Sequence, residues 1–129
     1  MALEPGAALA RRIEKIEECY EFMLAYAAQG REGDDEAEGG PGVRQFLTEL
    51  DDALDGIAAV STASVEGHDE AEAFRAFLDV LGEDAARARA AVKLVLAQPA
   101  ISSQLVDNLN ASIHLRALLT DLFLLDELS

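Results

Sequence analysis

Apolar side chains recur along this chain at alternating steps of four and three, the rhythm of amphipathic helices. Between Ala7 and Gln29 the stripe is Leu9, Ile13, Ile16, Tyr20, Met23 and Ala27, widened by Cys19, Phe22 and Tyr26. Charged residues from Arg11 to Glu21 cover much of the remaining surface, and Gly30 is a natural stop. A second helix is predicted from about Gly42 to Thr62 on Val43, Leu47, Leu50, Leu54 and Ile57, with Pro41 fitting its start. Gly56 weakens its middle by about 1 kcal/mol relative to Ala, but the stripe runs through. Residues Ser61 to Gly67 read as a connection.

The third segment, His68 to Gln98, carries Phe74, Leu78, Leu81, Ala85, Ala88, Val92 and Val95 with the phase unbroken across Gly82, and Pro99 ends it. One long helix is predicted, with a kink or split at Gly82 as the alternative. The fourth begins at Ser102 or Ser103, either of which can cap the first turn, and runs almost to the C-terminus. It is apolar on two faces: one stripe through Leu105, Leu109, Ile113 and Phe123, another through Leu115, Leu118, Leu122 and Leu125.

Four such helices predict an all-α fold: a single domain over residues 1–129, arranged as an up-down-up-down four-helix bundle. A three-helix core with a separate hairpin and an intertwined dimer are the alternatives. Leu50, Leu54, Phe77, Leu78, Leu81, Leu109 and Ile113 are expected at the centre of the core. Residues 30–42, GREGDDEAEGGPG, hold five acids and five glycines and no large apolar residue, so a flexible acidic loop is expected there.

Composition narrows the function classes. With 25 acids against 10 bases the formal charge is −15, which repels phosphate backbones and anionic lipid headgroups and disfavours nucleic acid or membrane partners. A basic partner stays open. The single cysteine, Cys19, excludes an intramolecular disulfide; with no signal-like start and no long apolar run, a cytoplasmic location is expected.

Candidate chemistry is sparse. No Glu-x-x-His step of a di-metal bundle occurs, and Asp34, Asp35, Glu36 and Glu38 do not keep the ligand order of a calcium loop. Cys19, beside Glu17, Glu18 and Glu21, is expected to have a raised rather than a lowered pKa. His114 lacks the acid that follows a phosphoacceptor histidine. Helical geometry places Arg116 amid Leu109, Ile113 and Phe123, so Arg116 and His114 are candidate buried polar residues, and Arg116 would need an acidic partner or an anionic ligand.

No catalytic or metal-ligating set, and no cofactor, emerges from these residues. The reading that follows is a non-enzymatic protein acting by protein–protein interaction: a regulator, assembly factor or chaperone-like adaptor for a partner of unknown identity. Its expected interaction face is Leu115, Leu118, Leu122 and Leu125, building a homodimer, unless the long third helix covers that stripe within one subunit. The alternative is a ligand- or cofactor-binding bundle using Tyr20, Tyr26, His114 and Arg116 in its interior.

Overall fold

A computed structural model describes residues 4–34 and 42–128. Among them the fold is all-α, with six helices: α1 (Pro5–Ala27), α2 (Val43–Leu54), α3 (Ile57–Ser64), α4 (Ala71–Leu96), α5 (Ser103–Asn110) and α6 (Ile113–Leu128). The expected four-helix count is therefore corrected: α1 and α4 are unbroken, whereas the second and fourth predicted helices are each split in two. Both broken pairs pack against α1 and also against α4.

Each break has a local cause. At the first, Gly56 takes a left-handed conformation, φ +73°, which costs a residue with a Cβ about 1–2 kcal/mol. Asp55 N–H closes α2 on the Asp51 and Asp52 carbonyls, and α3 begins after the glycine. The guanidinium of Arg12 on α1 donates to the carbonyls of Ala53 and Asp55, caging the break. The apolar stripe hides this corner because Leu54 and Ile57 are both buried on either side of it. Gly82 behaves in the opposite way. It lies inside an uninterrupted α4, and an added Cβ would stand 3.8 Å from the Ala58 side chain, an ordinary contact. Gly82→Ala should therefore stabilise the protein by about 0.5–1 kcal/mol and Gly56→Ala destabilise it by about 1 kcal/mol. Urea midpoints of the two variants, moving in opposite directions, check the assignment.

The second break follows Asn110. Ser102 caps α5, its hydroxyl accepting from Leu105 N–H at 3.0 Å, as the sequence suggests. The run Asp107, Asn108, Asn110 and Ser112 is poor in strong helix formers, and the chain turns through Ala111 and Ser112 before α6 begins. This resets the helical phase. Leu109 is buried, but Ile113, one turn later on the expected stripe, is 74% exposed. Leu115, Leu118, Leu122 and Leu125 turn inward instead.

The core is continuous and draws on every helix, from Leu9, Ile16 and Met23 on α1 to Leu47, Leu50, Ile57, Leu81, Leu118 and Leu122. Of the expected central residues, Leu50, Leu54, Leu81 and Leu109 are buried, Phe77 and Leu78 are half-buried, and Ile113 lies outside. Ionic contacts fasten the helices around it. Lys15 reaches Glu49 at 2.7 Å between α1 and α2, and Arg89 reaches Asp51 at 2.8 Å and Asp55 at 3.0 Å between α4 and the end of α2.

Residues 35–41 of the expected acidic loop lie outside the described residues, but its first part is anchored. Arg31 N–H donates to the Ser103 hydroxyl at 2.8 Å, and Ser103 N–H returns a bond to the Arg31 carbonyl at 2.9 Å. Asp34 accepts from Arg44 and from Ile101 N–H, while Arg44 also donates to the Leu96 and Gln98 carbonyls at the end of α4. Tyr26 adds bonds from its hydroxyl to the carbonyls of Ile101 and Gly33.

Candidate functional site

The four leucines expected to form a free face, Leu115, Leu118, Leu122 and Leu125, are fully buried, so the interaction face assigned to them is corrected. The turn after Asn110 rotates α6 so that this stripe meets α4 and the core. Coverage by the long α4 is the arrangement adopted. His114 and Arg116 are corrected as well: both are exposed, on the part of α6 left outside when the leucines turn in. The polar residues proposed for an internal ligand site accordingly do not converge. Tyr26 is spent on Ile101 and Gly33, and the other side chains of that set are only half-buried or exposed.

The feature that replaces the leucine stripe lies at the α4–α6 seam. The first turns of α4 carry Phe74, Phe77 and Leu78, which the core covers only in part. The last turns of α6 bring Leu124, 51% exposed, and Leu128, 55% exposed, beside them. Ala73, Phe74, Phe77, Leu124 and Leu128, with His68 and Glu70, line an open groove of about 620 Å3. The His68 ring leans on Phe74 with centroids 5.0 Å apart. These two residues also line a second cleft of about 260 Å3, between the turn after α3 and α4, which holds Val65, Leu78, Glu66, Arg75 and Asp79. The two hollows adjoin at His68 and Phe74 around the start of α4, and together they are called the trough below.

The trough is bordered by negative charge. Glu66, Glu70 and Asp79 line the two hollows, with Arg75 beside them; Asp69, Glu72 and Glu127 are exposed near them in sequence. Glu72 in the first turn of α4 also complements the positive end of the helix dipole.

Further along the same seam, Asp84 on α4 meets Asp121 on α6. Burial, and the hydrogen bond to Asp84, push the Asp121 carboxyl up to about 7. Two carboxylates cannot hydrogen-bond to each other unless one keeps its proton. Oδ2 of Asp121 is buried without a hydrogen-bond partner among the described residues, so a negative charge there is uncompensated and the protonated form is favoured. Asp84 in turn lies 3.7 Å from Arg87. Among the described residues, no cluster of three or more potential metal ligands forms around this pair or elsewhere.

Cys19 is buried in the core, and desolvation raises its thiol to about 11, with Glu49 adding to the effect. The direction is the one its sequence neighbours suggested, although Glu49, from α2, was not among them. The thiol is protonated at neutral pH, the unreactive form.

The groove was not legible in the sequence. Phe77 belongs to the expected core and Leu124 and Leu128 to neither stripe, because a periodicity says which residues share a face and not which turns of two helices lie side by side. Asp121, set between Leu118, Leu122 and Leu125, was the available signal for the carboxyl pair. Among the described residues, no helix is long and apolar enough to cross a membrane. Comparison with protein families, with curated proteins and with solved structures finds no match.

Proposed function

We propose that this protein acts by protein–protein interaction, as a regulator, assembly factor or chaperone-like adaptor, with the trough at the start of α4 as its docking surface. The observation that carries the reading is the set Phe74, Phe77, Leu124 and Leu128, which stands around an open groove while the core beneath is filled from every helix. Large apolar side chains gathered around a hollow gain about 25 cal/mol per Å2 when a partner covers them, and such patches mark interaction sites more often than isolated exposed residues do. Leu24 on α1 and Leu94 near the other end of α4 are exposed outside this groove. A homodimer built on Leu115, Leu118, Leu122 and Leu125 has lost its surface, since those side chains are buried within the subunit.

The test is affinity purification from the native host with tagged wild-type protein and with the double variant Phe77→Ser, Leu124→Ser. Both positions are partly solvent-exposed, so helix content should be retained, and circular dichroism verifies it. The wild type should retain a partner that the variant loses. Identical recovery by the two folded proteins would contradict the reading.

A further inference from the structure

We infer that the occupant of this trough is an amphipathic helix of another protein, with an apolar face flanked by lysine or arginine. The inference rests on the docking role proposed above and specifies the partner's chemistry. Its first support is shape. The floor consists of Phe74 and Phe77, one turn apart on α4, and Leu124 and Leu128, one turn apart on α6. Two helix ridges with a hollow between them accept a third helix, whose side chains at i, i+3 or i+4 and i+7 would fill the spaces left by theirs. The adjoining cleft, sharing His68 and Phe74, extends the floor around α4.

The second support is charge. Glu66, Glu70 and Asp79 line the trough itself. Asp69 and Glu72 stand among the lining positions in sequence and Glu127 beside Leu128, all exposed. Arg75, which lines the second cleft, offsets only one of the three lining acids. A second copy of this chain docked trough to trough would bring two such rims together, inside a pair carrying −15 on each subunit, and like charges so placed oppose association. A helix with basic flanks neutralises the rim while its apolar face covers the floor, and the same field speeds its approach.

Fluorescence anisotropy on the full chain, with two synthetic helical peptides, tests this. Both share one leucine face; one is flanked by lysines and the other by glutamates. The lysine peptide should bind saturably, weaken steeply as salt rises, and lose about tenfold or more in affinity with Phe77→Ser, Leu124→Ser and likewise with Glu66→Lys, Glu70→Lys. The glutamate peptide should bind at least about tenfold more weakly. Equal binding of the two peptides, or no binding of either, would overturn the inference. So would lysine-peptide binding untouched by Phe77→Ser, Leu124→Ser, which would place the attraction on the acidic surface at large. A wild-type dimer in sedimentation equilibrium that splits with the same variant would assign the trough to a second copy and overturn it too. None of the peptide results bears on whether the native host supplies a partner, so the wider docking role stands or falls separately on the affinity purification.

Discussion

Replacing Leu118 and Leu122 with Glu should unfold the protein, whereas Ile113→Glu should leave its stability within about 0.5 kcal/mol. Leu118 and Leu122 are fully buried on the inner face of α6. Each substitution removes a core side chain, for which truncation to Ala alone costs about 2–5 kcal/mol, and adds a carboxylate that must either be buried or be protonated. The sum for two reaches or exceeds the about 5–15 kcal/mol by which domains of this kind are stable. Ile113, on the exposed side of the same helix, loses little by meeting water. Far-UV circular dichroism and urea unfolding separate the outcomes. A folded double variant, or a large loss at Ile113, would mean that α6 presents the opposite face to the core.

A second large effect is expected from pH. The Asp121 carboxyl, held up at about 7 by burial and by Asp84, keeps its proton in the folded chain over a range where the unfolded chain, with a carboxyl near about 3.9, has released it. The folded state then binds more protons than the unfolded state, so stability falls as pH rises from about 4 to about 7 and levels off above. In a dry site the rise would correspond to about 4 kcal/mol; partial solvent access screens it, leaving about 2 kcal/mol. Asp121→Asn should abolish this fall and be more stable than the wild type above about pH 7, because an amide can donate to the Asp84 carboxylate without a shared proton. Asp34, lowered by Arg44, works in the other direction. So does Asp51, which Arg89 and Lys93 hold low although burial opposes them. Their contributions are present above about 4 and disappear as pH drops below it, so the two windows are separable. Urea midpoints at about pH 5 and about pH 8 that differ equally in the wild type and Asp121→Asn would contradict the assignment to this pair.

The helical class, the phases of α1 and α4 and the inward stripe of α2 were all legible, because a buried face imposes its period on the sequence over several turns. The breaks were not. Gly56 looked like a weak point inside a continuous stripe, since the step from Leu54 to Ile57 fits a helix and a left-handed glycine corner equally well. The turn at Ala111 and Ser112 contains neither Gly nor Pro, and with it the inward face of α6 was exchanged for the outward one. Everything inferred about Arg116, His114 and the four leucines depended on that single phase. The trough was hidden for a different reason: it arises where the last turns of α6 lie beside the first turns of α4, a matter of tertiary placement that local pattern does not encode.

Site-specific photocrosslinking in the native host tests the docking role most directly. A benzoylphenylalanine replacing Leu128, in the trough, is compared with one replacing Leu94, which is 66% exposed on α4 but outside the trough. The account expects a discrete adduct with another protein from position 128 and none of the same mass from position 94. The same adduct from both positions, or none from position 128 in folded protein, would contradict it.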